Sequence, residues 1–547
     1  MRTLGKTEQR TLDRLVSQDS GLPALLLMEG AARAVAEYVT RVLKPASGST
    51  IAVCCGRGNN GGDGYAAARL LLACGDYQLQ VYETAAAAGN QGDAAINRQA
   101  WLQMGRLIQP LEQFKLQTGL VIDAVFGSGF TCDRPLDPVL AGWSQKLEAG
   151  RADGRYQVLA VDIPSGVEAG TGKADPHALH ADVTLSFFYA KTGCYAYPGR
   201  DLAGLTVVSE LGLPQSYLDR LARQAGLQAP EVITREDLVP WAPARPAESH
   251  KGSFGKCLLW AGSPGMGGAA VLALQAALRS GVGYTKALIP ESLYAAALTA
   301  CPSALIQPLS EQDGGAVDPS ALQVSLKDGL SWCDSCLAGP GLGQPAEPDT
   351  RQARWEAMEN LTATAPRLVL DADALNMLAA RGGAGRELLQ SRFRSGLAPA
   401  VLTPHPGEYQ RLCPEGATLV RTDRLKAAKL LSDLTGAVVV LKGAGTIVAF
   451  PQASGRRQTE PDLPANRLWI NSSGNPAQAK AGSGDILAGL LAGLLAQPLP
   501  LWQAVLAAVF LHGSAADLAA GRQAGRAVLP GDTLDTLGLA FRSCKWQ

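Results

Sequence analysis

The chain carries no net charge, because 49 Lys and Arg balance 49 Asp and Glu over 547 residues. That balance offers no basic field for a nucleic-acid backbone and no acidic tail, so no nucleic-acid partner is expected. Charge is sparse altogether, at 18%, against the roughly 25% usual for soluble domains. Aromatic residues reach only 6%. The opening MRTLGKTEQRTLDRL has no apolar h-region, so no signal peptide is expected. The longest apolar run, Ile486 to Ala496, is too short to span a bilayer and gives way to Gln497-Pro498. Eleven cysteines are scattered and odd in number, which points to reduced thiols and a cytoplasmic location. There is no internal repeat and no low-complexity tract. What is plentiful is glycine, 61 residues without a period of three, in a chain that is 47% hydrophobic; that profile excludes both collagen and a disordered chain.

At about 150 residues per domain, the length suits three or four domains or two large ones. Apolar segments alternate with helical periods throughout. In the first half, strands are predicted at 49–55, 77–83, 120–125, 158–163, 182–187 and 205–208, with helices over 22–43 and 62–73. In the second half they are predicted at 256–261, 284–289, 336–338, 367–371, 400–403, 438–442 and 447–450, with helices over 483–496 and 501–520. Strand–helix alternation implies parallel sheets with helices on both faces. Between the halves, Pro214, Pro230, Pro240, Pro243 and Pro246 fall among charged residues and mark a connector. The expected division is residues 1–225 and 235–547, with a linker at 226–250.

Gly56-Arg57-Gly58-Asn59-Asn60-Gly61 spells G-x-G-x-x-G between a strand and a helix, with Glu83 closing the next strand. This is the spacing of a dinucleotide fingerprint, in which backbone N–H groups face a phosphate; read plainly, it is a tight turn. Asp63 argues against a dehydrogenase, since a carboxylate beside a pyrophosphate repels it. Asn59 and Asn60 offer carbonyl oxygens, hard ligands for a cation. Asp123 ends its strand before Gly127-Ser128-Gly129-Phe130, and Asp162 ends another before Pro164-Ser165-Gly166. Each alone suits a helix cap or turn, but three strand ends in a row converge on the ligand crevice of an open parallel sheet.

In the second half, Gly262–Ala270, Gly339-Pro340-Gly341-Leu342-Gly343, and Lys442-Gly443-Ala444-Gly445-Thr446 each follow a strand. Asn475-Pro476 leads into Ala481-Gly482-Ser483-Gly484-Asp485 and the helix after it. Free amides at Gly482–Gly484 make a cup for a phosphoryl group in transfer, and Asp485 is placed to deprotonate an attacking hydroxyl. The plain alternative is an N-capping aspartate. His405, between two prolines, is either a rigid loop histidine or a substrate contact.

The motifs GRGNNGGDG, DAVFGSG and VDIPSGV together resemble the epimerase module of the bifunctional NAD(P)H-hydrate repair family, a Rossmann-like three-layer α/β domain. The second-half motifs, including LDADALN and TPHPGE, resemble the same family's ADP-dependent dehydratase module, a ribokinase-like α/β domain. The resemblance implies interconversion of R- and S-NAD(P)HX in the first half. In the second half it implies dehydration of the S form, driven by ADP going to AMP and phosphate. It further implies K+ held by Asn60, Asp123 and Ser165. The implied substrate contacts are Asn59, Asn60, Gly61, Gly62, Asp63, Gly127, Ser128, Gly129, Phe130, Thr131, Cys132, Asp133 and Asp162. In the second half they are Ala269, Gly341, His405 and Asp485, with ADP on Lys442, Gly443, Ala444, Gly445, Thr446 and Gly484. Mg2+ is expected with the nucleotide, and self-association into a homo-oligomer is implied. Asp162 and Lys191 are the acid–base candidates of the first site, with Lys191 otherwise a surface lysine, and Asp485 is the base of the second. Arg57 replaces the family's usual proline, and Gln478, Lys480, Ala481 and Ser483 depart from its commoner NPGMATGGTGD. Rival readings are a ribokinase-type kinase fused to a nucleotide-binding module, a binding module without turnover, and a plain dehydrogenase. Cys333-Asp334-Ser335-Cys336 lacks the second pair or histidine a zinc set needs; His177 and His180, three apart near Asp175 and Asp182, read as a solvated turn, with a metal site as the alternative. Trp260 and Met266 are expected to pack.

Overall fold

Continuous apolar runs such as TIAVCC and VVVL suit strands covered on both faces rather than on one. The computed structural model describes residues 1–115, 117–312, 316–345, 347–452, 464 and 466–546. It divides into Arg2–Glu231 and Val232–Gln547, with Met1 grouped with the second unit.

The N-terminal unit holds seven parallel strands: β1 (Thr50–Cys55), β2 (Gln78–Glu83), β3 (Ile108–Pro110), β4 (Gly119–Ala124), β5 (Tyr156–Val161), β6 (Val183–Phe187) and β7 (Leu205–Ser209), in the order β3-β2-β1-β4-β5-β6-β7. One face carries helices α1 (Lys6–Ser20), α2 (Ala24–Tyr38) and α3 (Asn59–Cys74). There Ala32, Val35, Tyr65 and Leu71 pack with Val53 and Ile122. The other face buries Val121, Val158 and Ala160 under Leu140, Trp143 and Leu147 of α4 (Pro138–Ala152). The strand order reverses between β1 and β4, where an open parallel sheet has its crevice.

The C-terminal unit is built on ten strands: β8 (Glu231–Ile233), β9 (Lys256–Trp260), β10 (Tyr284–Pro290), β11 (Leu305–Leu309), β12 (Ser335–Ala338), β13 (Leu368–Leu370), β14 (Val401–Leu402), β15 (Val438–Leu441), β16 (Ile447–Ala449) and β17 (Leu468–Asn471). Their order is β8-β17-β16-β15-β14-β13-β12-β9-β10-β11; from β15 to β11 every pair is parallel, and β16 runs antiparallel to β15 and β17. Here the switch lies between β9 and β12, and their loops lock together: Gly262 N–H donates to Pro340 O at 2.9 Å and Ser263 Oγ to Gly341 O at 2.8 Å. Helices α5 (Gly267–Arg279), α6 (Ser483–Leu495) and α7 (Leu501–Ala520) supply most of the core on one face. Helix α7 is long and apolar enough to cross a membrane, yet Val505, Leu506, Ala508 and Leu511 are buried in that core.

Several boundaries move. Helix α3 starts at Asn59, not Gly62, so Asn59–Asp63 form its opening turns. Residues 22–43 hold α2 and a terminal π turn at Val39–Leu43. The segment taken as a linker carries strand β8, a helical turn at Arg235–Leu238 closed by a Thr234/Asp237 capping box, and short 3-10 turns. Pro240 lies inside one of these turns, and Pro230, Pro243 and Pro246 sit between the ordered pieces.

Two candidate active sites

In the N-terminal unit the carboxyl ends of β1, β4 and β5 open into a cavity of about 1160 Å³ lined by Asn59, Asn60, Asp63, Gly127, Ser128, Gly129, Phe130, Thr131, Asp133 and Asp162. The turn before α3 needs its glycines. A Cβ on Gly61 would fall 1.9 Å from Gly56 O, and one on Gly62 2.7 Å from Met28 Sδ. These two therefore seat the helix rather than line the cavity, and Cys132 is likewise off it, its N–H bonded to Glu168 Oε1 at 2.7 Å. Arg57 is exposed at the cavity wall.

Beneath the cavity lies Asp123, fully buried. Its carboxylate accepts from Ser165 Oγ at 2.6 Å, Ser165 N–H at 2.8 Å and Val125 N–H at 3.2 Å. Burial outweighs those bonds and pushes the carboxyl up to about 6. Asn60 Nδ2 is buried with no partner among the described residues. A buried amide nitrogen left unpaired is costly, and the oxygen and nitrogen of such a group are told apart only by their partners. Turned over, the amide would add a carbonyl oxygen there. The three predicted cation residues thus supply hard oxygen donors and a negative charge lacking a counter-ion, a set that fits K+.

Asp162 takes a left-handed backbone, φ 72°, held by Ser186 Oγ donating to its carbonyl at 2.5 Å and by its own N–H donating to Leu185 O. Its carboxylate meets Lys191 Nζ at 2.6 Å. Lys191 is not the surface lysine that the sequence left open: it is completely buried and also donates to Phe187 O and Tyr189 O at 3.2 and 3.1 Å. All three of its N–H bonds are engaged, one of them with Asp162. Asp63 is buried, and desolvation followed by the nearby Asp162 and Asp13 carboxyls holds its proton well above the usual carboxylate range. A neutral Asp63 does not repel a phosphate. Glu83, the residue a dehydrogenase would need at a ribose, is tied up by Tyr65 OH at 2.7 Å and by a two-pronged Arg98 contact at 2.8 Å.

In the C-terminal unit the acidic and basic groups gather at the N-terminus of α6. Lys442 Nζ bonds Asp371 Oδ1 at 2.7 Å and lies 3.8 Å from Glu408 Oε2. A Cβ on Gly484 would lie 3.3 Å from that ammonium, so the lysine reaches the amide cup directly. Burial alone would lower the Lys442 pKa, but Asp371, Glu408 and Asp485 outweigh it and raise it. Asp485 is half-buried, and desolvation, then Asp371, push its carboxyl up to about 6 against the pull of Lys442. His405 caps the helix Pro406–Leu412, its Nδ1 accepting from Gly407 N–H at 3.0 Å while Nε2 sits 3.3 Å from Glu408 Oε1. Burial, then Lys442, lowers its pKa, so the neutral ring with its proton on Nε2 is favoured. Ala269 and Gly341 also meet: a Cβ on Gly341 would lie 3.0 Å from that of Ala269. Gly443, Ala444 and Thr446 form an exposed turn, with Thr446 Oγ1 donating to Gly443 O and Arg424 bonding Ala444 O.

A family model described as NAD(P)H-hydrate dehydratase matches residues 257–538, and one described as YjeF-related protein N-terminus matches residues 24–193. The bifunctional NAD(P)H-hydrate repair enzyme Nnr of Moorella thermoacetica is 34% identical, across 98% of this chain and 96% of its own length. The chain belongs to the bifunctional NAD(P)H-hydrate repair enzymes. The Salinibacter ruber enzyme of the same name is also 34% identical, over 96% of this chain and 93% of its own. Among solved structures, the ADP/ATP-dependent NAD(P)H-hydrate dehydratase from Bacillus subtilis, co-crystallised with ATP and Mg2+, is 30% identical over 57% of this chain and 98% of its own, at a TM-score of 0.46.

Where this repair-family member departs from the commoner glycine-turn motif, the replaced residues are knitted together. Gln478 Nε2 lies 3.1 Å from His512 Nδ1, and Ser483 Oγ lies 3.4 Å from His512 Nε2. Lys480 Nζ donates to Arg526 O at 2.7 Å and to Val528 O. His512 was not singled out in the sequence, where it reads as one polar residue in an apolar helix; burial keeps it neutral, its pKa down at about 4. Asp13 was missed too, because α1 reads only as an amphipathic helix. All eleven cysteines are free, no group of three metal-ligating side chains occurs among the described residues, and Trp260, expected to pack, is buried. Met266, expected to pack, is 42% exposed and contributes its backbone carbonyl beside Gly341 instead.

Proposed function

We propose that each half performs one step of nicotinamide repair: residues 1–225 interconvert R- and S-NAD(P)HX, and residues 235–547 dehydrate the S form at the expense of ADP. The observation that carries this reading is the repeated pairing of an amide-lined turn with a carboxylate at a strand or helix end. In the first site that pair is the turn before α3 with Asp162. In the second it is Gly482–Gly484 with Asp485.

In the first site the inverted carbon carries a hydroxyl next to the ring nitrogen. The nitrogen lone pair assists departure of that hydroxyl as water, and a water returning to the other face loses a proton to Asp162. Lys191 holds the Asp162 carboxylate in place through their 2.6 Å contact, while Asn59 to Asp63 and Gly127 to Asp133 hold the ligand. Asn60, Asp123 and Ser165 would hold K+, which supplies a fixed positive charge beneath the phosphate-binding turn. In the second site Asp485, anionic above about pH 6, takes the proton of the S-form hydroxyl. That oxygen then attacks the terminal phosphorus of ADP while the bridging P–O bond breaks and AMP leaves. The amides of Gly482 and Gly484 and the Lys442 ammonium receive the moving charge; the Ser483 N–H, expected to be free, instead donates to Lys480 O at 3.3 Å. Phosphate is a far better leaving group than hydroxide, and its elimination restores the conjugated ring. Mg2+ would arrive with the ADP phosphates, whose charge it shields, beside the Lys442–Asp371 pair. The free thiols favour a reducing, cytoplasmic compartment.

The test follows NADH absorbance on adding ADP to the S hydrate. Recovery of NADH with one AMP and one phosphate per turnover is expected. A stable phosphorylated alcohol would instead mark a ribokinase-type kinase.

A further inference from the structure

Interconversion needs a proton donor as well as the acceptor Asp162, and no residue assigned so far fills that part. The cations in and beside the cavity are poor sources. Lys191, the partner of Asp162, has no free N–H; Arg10, Arg14, Arg57 and Arg134 line the cavity, and a guanidinium does not serve as an acid; Lys6 donates to Gly129 O at 2.8 Å. Five carboxyls besides Asp162 line the space, Asp13, Asp63, Asp93, Asp133 and Asp137; Asp137 is taken up capping α4 through Val139 and Leu140 N–H, and Asp13 and Asp63 both feel the charge of Asp162. Asp63 is buried, and desolvation, then Asp162 and Asp13, hold its carboxyl well above the usual range, whereas Asp13 is open to the cavity.

We propose that Asp13, on the first helix, is the proton donor of the epimerisation and forms an acid–base pair with Asp162 in the same cavity. This rests on reading the N-terminal unit as the epimerase. Gln9 Nε2 donates to Asp13 Oδ1 at 2.7 Å, one turn back on the same helix, and fixes the carboxyl plane. Oδ2 has no hydrogen bond among the described residues and is open to the cavity. Gln9 Oε1 is itself buried without a partner, so the Gln9–Asp13 pair has an acceptor to spare for a protonated carboxyl. Desolvation, offset by Gln9 and Lys191 and reinforced by Asp162, places the Asp13 proton at about 6, where a group both gives and takes protons near neutrality.

The step balances as follows. Asp13 O–H protonates the ring hydroxyl, the C–O bond breaks with its electron pair on oxygen, and water leaves as the nitrogen lone pair forms a C=N bond. A water then adds to the other face, its C–O bond forming as Asp162 accepts the released proton. Asp13 and Asp162 return to their starting states by exchange with solvent in the open cavity, and the reverse reaction exchanges their parts.

Asp13→Asn keeps the oxygen that Gln9 bonds, so the helix contact survives. With the full chain and R-NADHX, Asp13→Asn should lower kcat for R-to-S conversion by about 100-fold or more with KM nearly unchanged. Asp13→Glu should recover most of the loss, and ADP-dependent dehydration of the S form should match wild type in both. Wild-type kcat in Asp13→Asn would overturn the proposal. So would equal losses in both variants with a raised KM or a lowered unfolding midpoint, the signature of a purely structural carboxyl. Absence of interconversion by the wild-type chain would overturn the epimerase reading and the proposal with it.

Discussion

Asp162 and Asp123 stand one strand apart but occupy opposite electrostatic situations. Asp162 has a buried ammonium at 2.6 Å, whereas Asp123 has only hydrogen-bond donors. An unpaired buried charge is costly, and Asp123 shows it in a carboxyl raised from 3.8 to about 6. A raised carboxyl pKa means the native state binds more protons than the unfolded chain between those values, so this group's contribution to stability is lost as pH rises from about 4 through 6. A cation on Asn60, Asp123 and Ser165 favours the charged form and offsets that loss. Thermal unfolding in KCl against choline chloride should therefore show little difference at pH 5 and a clear rise in midpoint with KCl at pH 7.5. An equal shift at both pH values would remove Asp123 from the cation site. The candidates Asp123 and Asp162 were legible in the sequence because each ends an apolar run at a glycine-bearing turn, and Asp485 because it opens an apolar helix directly after one. The burial of Lys191 was not legible, because it depends on carbonyls Phe187 and Tyr189 folding back over one side chain.

At the scale of elements, the approach of α6 to α5 decides where Asp485 stands. Gly489 and Gly493 let the helices close: a Cβ on Gly489 would lie 2.0 Å from Ala273 O, and one on Gly493 2.2 Å from Ser280 Oγ. Gly489→Ala should gain about 1 kcal/mol of helix propensity and lose about 1–3 kcal/mol to overpacking. Denaturant unfolding should show net destabilisation, and dehydration should fall with epimerisation unchanged. A stabilised variant would contradict the close packing. Strands buried on both faces announced themselves as unbroken apolar runs. Ile108–Pro110, Leu305–Leu309 and Leu468–Asn471 did not: they are short or mix polar residues and proline, as strands at or near an edge do. The early start of α3 escaped notice because two glycines inside a helix argue against it unless a close contact, here with Gly56 and Met28, demands them.

At the scale of the whole molecule, two units in one chain carry two chemistries that share a substrate but no catalytic residue. The choice of variant for separating them follows from the backbone. At φ 72° Asp162 occupies a conformation that asparagine tolerates and alanine resists by about 1–2 kcal/mol, so Asp162→Asn isolates the carboxylate without straining the turn. The decisive measurement incubates an R and S mixture of NADHX and ADP with Asp162→Asn protein, with Asp485→Asn protein, and with both together. The first should recover only the S fraction as NADH, beyond which only slow uncatalysed interconversion feeds it. The second should interconvert the two forms and recover none. The mixture of proteins should recover all. Full recovery by either variant alone, or a mixture that stalls at the S fraction, would contradict the assignment of one reaction to each half.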